Sequence, residues 1–250
     1  MKPKQIKPGD VFQLNGGGSC TVIEYFSSNK ILIRHNDKFG HTATVESGNL
    51  RKGAVRNPYH PCVYGVGFIG VGPHSVKENG RKSPAYTQWS GIIQRGHSDI
   101  FKKENPSYDD VSVSPEWHNF QEFSDWFYKQ AHSMSPGFQI DKDLMIIGNR
   151  EYSPKACSFV PPQINSILND CAGRRGLLKQ GVTFEKRRNS YVARISIKGR
   201  LMKIGRFPSE ALAYSAYIEA KIRYVREMAE EYKLVLHPTV YDNLKNWTLD

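Results

Sequence analysis

The residues best suited to chemistry lie between Gln139 and Leu168, in the run QIDKDLMIIGNREYSPKACSFVPPQINSIL. Asp141 and Asp143 bracket Lys142, and the amide of Asn165 follows beyond Pro161-Pro162. Carboxylate and amide oxygens are the donors that a hard cation such as Mg²⁺ takes. Taken alone, the same residues also read as solvated strand-end carboxylates and a helix-surface amide, since a short motif is a hypothesis that its surroundings must support.

The elements that must position these groups are short. Ile140-Asp141-Lys142-Asp143-Leu144 is an apolar–acidic run, Gly148-Asn149 forms a turn, and a second run ends at Val160. Pro161-Pro162 then opens a short helix carrying Asn165 and Ile167, because proline tolerates the first helical position, where its missing N–H would have been unpaired. The order is strand, loop, strand, helix.

Asp141-Lys142-Asp143, Tyr152-Ser153-Pro154, Cys157, Phe159-Val160-Pro161 and Asn165 together resemble the ββα-metal motif of a phage-type group of HNH endonucleases. The resemblance implies a catalytic set of Asp141, Lys142, Asp143 and Asn165. It also implies one Mg²⁺ (or another divalent cation) held by a hairpin aspartate, Asp141 or Asp143, together with Asn165. Such a metal stabilises the leaving 3′ oxygen and the extra phosphate charge. In that family a histidine beside the aspartate deprotonates the attacking water. Here Lys142 follows Asp141 and Leu144 follows Asp143. An ordinary lysine is protonated at neutral pH, so Lys142 reads as a phosphate or transition-state contact. His118 and His132 are the histidines nearest in sequence, either as the missing base or as ordinary surface residues.

Composition favours a polyanion partner. The net charge is +11 over 250 residues, distributed unevenly. Residues 173–250 carry sixteen Lys/Arg against eight Asp/Glu, and residues 76–172 carry ten against twelve. Basic ends around a slightly acidic middle suit a nucleic-acid-binding protein with central metal-binding carboxylates. No signal peptide or transmembrane run is found, which points to a cytoplasmic protein, in the host cytoplasm if phage-encoded, with no membrane partner. Cys20, Cys62, Cys157 and Cys171 form no CxxC pair, so a zinc ribbon or disulfide framework is not expected.

Residues 1–56 read as five short strands, Val11–Leu14, Cys20–Phe26, Lys30–His35, Thr42–Glu46 and Asn49–Val55. They predict a small SH3-like barrel or curled sheet. Gly16-Gly17-Gly18 lacks the Gly-Lys-Ser/Thr ending of a phosphate loop. The Gly-rich run from Val63 to Gly72 is a strand with close backbone approach or an extended connector. Residues 76–83 read as a linker. A helix is predicted from Pro84 to about Arg95 with Ser83 as N-cap, and a second from about Pro115 to Ala131. Its stripe of Trp117, Phe120, Phe123 and Phe127 reads as core rather than as a base-stacking platform.

Residues 173–206 hold eleven Lys/Arg against the single acid Glu185. Three strands, Val182–Glu185, Tyr191–Lys198 and Leu201–Phe207, are predicted there, with a turn at Gly199-Arg200 and a helix from Ser209 to about Glu231. Gly181-Val182, Tyr191, Ala193, Ile195, Ile204-Gly205, Phe207, Glu210-Ala211, Ala213 and Tyr214 resemble an AP2-type DNA-binding domain. That resemblance implies that the sheet enters the major groove through Thr183, Glu185, Arg194, Ser196, Leu201 and Lys203. The basic run adds Arg174, Arg175, Lys186, Arg187, Arg188 and Arg200 as contacts to double-stranded DNA.

The sequence therefore predicts an α+β protein in three parts. Residues 1–75 form a small β-barrel-like domain with a Gly-rich connector, 76–172 an HNH-like ββα-metal domain, and 173–250 an AP2-like three-stranded antiparallel sheet plus helix. The expected function is a metal-dependent, homing-like DNA endonuclease. The alternatives are a catalytically inactive HNH-fold DNA-binding protein and an RNA-binding or accessory protein of phage replication.

Overall fold

A computed structural model of the chain describes residues 5–168 and 178–248. The protein is α+β and divides into two compact units, Met1–Phe127 and Tyr128–Asp250.

The first unit opens on an antiparallel meander of β1 (Val11–Gln13), β2 (Ser19–Ser27), β3 (Lys30–His35) and β4 (Thr42–Val45), in that spatial order. Alternation along β2 and β3 sends Cys20, Val22, Ile31 and Ile33 into one core with Leu14, Leu50 and Val55. The sheet is open, which corrects the predicted barrel. The segment read as a fifth strand is instead α1 (Ser47–Arg51). Gly53 N–H bonds Leu50 O at 3.0 Å and Ala54 N–H bonds Asn49 O at 2.8 Å. Those backbone groups therefore close a helical turn and are not offered to a ladder, and Leu50 becomes a core plug.

A two-stranded hairpin, β5 (Lys77–Glu78) and β6 (Arg81–Lys82), occupies the predicted linker. It precedes α2 (Pro84–His97), where the Ser83 hydroxyl accepts from Tyr86 N at 3.3 Å as the predicted N-cap. Next come α3 (Asp99–Glu104) and the short strand β7 (Ser112–Val113). The predicted 115–131 helix is broken into a 3-10 turn, Pro115–His118, and α4 (Phe120–Lys129). Phe68 causes the break. Its N–H bonds His118 O and its carbonyl accepts from Phe120 N, both at 2.9 Å, so the Gly-rich connector pairs with residues that a continuous helix would have needed. Asn119 then caps α4, its Oδ1 accepting from Gln121 N at 3.1 Å. Trp89, Trp117, Phe120, Phe123 and Phe127 are all buried, so the aromatic stripe is core.

The second unit holds β8 (Gln139–Asp141), β9 (Glu151–Tyr152), β10 (Ser158–Val160) and α5 (Pro162–Ile167). β8 and β10 pair antiparallel, with Asp141 opposite Ser158 and Gln139 opposite Val160. Beyond them a three-stranded antiparallel sheet, β11 (Val182–Glu185), β12 (Ser190–Ile197) and β13 (Arg200–Phe207), leads into α6 (Glu210–Glu231) and α7 (Pro238–Lys245). The hairpin turn is Lys198-Gly199, one residue earlier than predicted. Both residues lie at positive φ, 47° and 78°, the geometry that matches the twist of a two-residue hairpin. Ser209 caps α6 by accepting from Leu212 N at 3.3 Å.

Two cores meet on α6. Ala213 and Tyr217 pack with Val182, Ala193 and Ile195 of the sheet. A half-helix further on, Val225, Met228 and Ala229 pack with Leu144, Val160, Ile164 and Ile167 of the ββα elements and with Val240 and Leu244 of α7. Tyr224 packs against both cores.

Candidate metal centre and nucleic-acid interface

Asp141 ends β8 and is half-buried. Its Oδ1 accepts from the backbone N–H of Asp143 at 2.8 Å and of Leu144 at 2.7 Å. These bonds fix the carboxylate and leave Oδ2 with no hydrogen bond among the described residues. Burial raises the Asp141 pKa and neighbouring Asp143 adds to the rise, against the two backbone donors and Lys142. A carboxylate so placed favours a nearby cation.

Lys142, which the sequence reads as a phosphate or transition-state contact, is buried, 6% exposed. Its ammonium pairs with Asp143 Oδ1 and lies 5.9 Å from the centroid of the Tyr152 ring. Asn149 braces the loop, its Nδ2 donating to Lys142 O at 2.8 Å and to Glu151 O at 2.7 Å. Of the two aspartates, Asp141 thus keeps an oxygen that neither backbone nor lysine engages, while Asp143 is paired with the lysine.

Asn165 sits one turn into α5, its N–H bonded to Pro161 O at 3.0 Å. Its Nδ2 donates to Gln139 Oε1 at 2.6 Å. Gln139 and Asp141 are two apart on β8 and share a face, because strand side chains alternate. The helix amide and the hairpin carboxylate are therefore on the same side of β8. Cys157 is buried beside this site, and burial pushes its thiol pKa far up, so it is an inert packing residue.

The two histidines considered as bases each make a ring contact within their own unit. His132 lies at φ 64°, stacked on Phe138 with centroids 4.4 Å apart. His118 belongs to the first unit, edge-on to His97 at 5.1 Å. Burial lowers the pKa of both His97 and His118. In the same unit His74 pairs with Asp125 at 2.8 Å.

Among the described residues no group of three or more His, Cys, Asp or Glu is placed to hold a metal. The candidate set is of another type, one free carboxylate oxygen and one amide oxygen. It fits Mg²⁺, which is commonly held by one or two carboxylates with water and phosphate completing its shell.

The proposed DNA contacts lie mainly on the sheet. Lys186, Arg187 and Arg188 form an exposed 3-10 turn after β11, with Asn189 following at φ 42°. Arg194 and Lys203 are directly opposite across β12 and β13, and Ser196 is opposite Leu201, all of them exposed. Arg194 Nη1 donates to Thr183 Oγ1 at 3.4 Å. Glu185 is neutralised by Arg206 at 2.9 Å. Arg200 opens β13 and is exposed. Arg174 and Arg175 lie outside the described residues. So does Cys171; of the other cysteines Cys20 and Cys157 are buried and Cys62 is exposed, all three as free thiols.

Sequence reasoning passed over Gln139, whose only signal was its place two residues before Asp141. It also passed over α7, where Asn243 Nδ2 donates to the carbonyls of Leu144 at 2.9 Å and Met145 at 3.0 Å. No protein-family model, curated protein or solved structure matches the chain. No helix among the described residues is long and apolar enough to cross a membrane.

Proposed function

We propose that the chain is a metal-dependent endonuclease of HNH type that binds double-stranded DNA through the β11–β13 sheet and hydrolyses a phosphodiester at the β8–β10–α5 motif. The observation that carries the catalytic half is the Asn165–Gln139 hydrogen bond, which ties the helix amide to the strand face bearing Asp141. Asp141 Oδ2 and Asn165 Oδ1 are the oxygens that would hold the cation. A bound Mg²⁺ would supply Lewis-acid stabilisation of the phosphate and the leaving oxygen. The backbone N–H groups of Asp143 and Leu144 hold the Asp141 carboxylate in place. Lys142 holds Asp143 and adds positive charge behind the site.

The binding half is supported by the like-charge pair Arg194–Lys203. Cations directly opposite on neighbouring strands repel, and neither has an acidic partner among the described residues. A polyanion converts that repulsion into attraction. The exposed cations Lys186, Arg187, Arg188 and Arg200, with Arg174 and Arg175 of the basic run, extend the proposed contact surface, and Ser196 adds a neutral hydrogen-bonding group.

A second reading is favoured by the lysine in the histidine position and its commitment to Asp143. On that reading the protein binds DNA without cutting it. Mg²⁺-dependent nicking of supercoiled plasmid separates the two. The nuclease reading expects Asn165→Ala to cut about 100-fold more slowly or worse while retaining duplex affinity. Wild-type nicking by Asn165→Ala would eliminate this site, and the absence of nicking by the wild-type chain would leave the DNA-binding reading.

A further inference from the structure

We infer that Gln139 is the positioning residue of the proposed cation site, holding the Asn165 amide with its oxygen turned toward Asp141. The inference rests on the metal-site reading given above.

The register places Gln139 within reach. It stands opposite Val160, the last residue of β10, and Pro161-Pro162 follow at once to start α5. Helical side chains lean toward the helix N-terminus, so Asn165, one turn in, leans back over the start of the helix and the strand beside it. Asn165 Nδ2 donates and Gln139 Oε1 accepts, at 2.6 Å.

That sense decides what the amide presents. An asparagine amide has a donor edge and an acceptor edge on opposite sides of one planar group. With the donor edge tied to Gln139, Oδ1 is the edge left for a cation. Without the tie, the amide rotates about its last torsion and offers N–H to the site for part of the time, and N–H cannot bind a cation. Gln139 itself is exposed and outside the hydrophobic core, so nothing in the packing requires an amide at this position. Outer groups that orient ligands in this way change metal affinity by about 10–100-fold when removed.

The test uses Mg²⁺ alone, titrated calorimetrically into the full-length protein without DNA. Gln139→Ala is expected to bind Mg²⁺ about 10–100-fold more weakly than wild type, with an unchanged unfolding midpoint. Gln139→Glu can only accept a hydrogen bond, so it is expected to bind at least as tightly as wild type. Gln139→Asp adds the same charge but stops one methylene short of Asn165, and is expected to bind more weakly than Gln139→Glu. Affinity within twofold of wild type in Gln139→Ala, or a Glu variant no tighter than the Asp variant, would overturn the role of Gln139 while leaving the site itself standing. Equal Mg²⁺ affinity in wild type and Asn165→Ala would overturn the site, and this inference with it.

Discussion

His35 is only 1% exposed, and neither ring nitrogen has a hydrogen-bond partner among the described residues. Burial lowers its pKa from the ordinary 6.5, His41 lowers it further, and Asp37 opposes them. His97 and His118 shift the same way. Well above pH 6.5 these rings are neutral in both folded and unfolded chains and add no pH dependence. Below it the unfolded chain takes up protons that the folded one resists, so stability falls as pH drops through 6.5 toward the lower folded values. Denaturant unfolding of the first unit should show a lower midpoint at pH 5 than at pH 7.5. Replacing His35 by Phe should reduce that difference. An unchanged difference would mean that the imidazole is not the group resisting protonation.

At the scale of elements, glycine spacing carries structural information that hydrophobic periodicity misses. Gly70 lies at φ +73°, and a side chain there would run into the Asn119 amide that caps α4. Gly70→Ala should destabilise the first unit by about 1–3 kcal/mol, measured as a shift in denaturant midpoint. A neutral effect would show that the connector can lift off α4. The α4 break was not legible because it comes from the pairing of Phe68, some fifty residues away in sequence, and local propensity contains no long-range partner. The predicted barrel failed for a related reason: Asn49 to Val55 could close a helical turn locally and still send Leu50 and Val55 into the core. Where local signals and tertiary contacts agree, as at β11, at the Ser83 and Ser209 caps and along α6, the sequence could be read nearly to the residue. The opposition of Arg194 and Lys203 depends on a register shift after Ala193, which alternation alone does not reveal. The double substitution Arg194→Ala/Lys203→Ala should reduce the slope of log affinity against log salt by about 2. An unchanged slope would remove the sheet from the proposed interface.

At the scale of the molecule, the three-part division at 75/76 and 172/173 remains a proposal, and the contacts group the chain into two compact units. In the second unit the sheet and the ββα elements share α6, which contributes to both cores. Tyr224 packs in each, and its hydroxyl accepts from Lys198 N at 3.1 Å at the hairpin tip. α6 and α7 also carry Lys221 and Asn243, which donate to carbonyls at Ile167 and at Leu144 and Met145. Sequence alone located the candidate oxygens and the basic sheet but not this joint, since the residues of α7 show their purpose only once Leu144 and Ile164 are seen against them.

The central claim is that Asp141 and Asn165 hold one divalent cation, and crystals soaked in Mn²⁺ test it most directly. Anomalous scattering should show a single ion in bonding contact with Asp141 Oδ2 and Asn165 Oδ1, at about the 2.0–2.1 Å typical of Mg²⁺ or slightly longer. An ion bound elsewhere, or Asn165 Nδ2 facing a site that stays empty at saturating Mn²⁺, would contradict it.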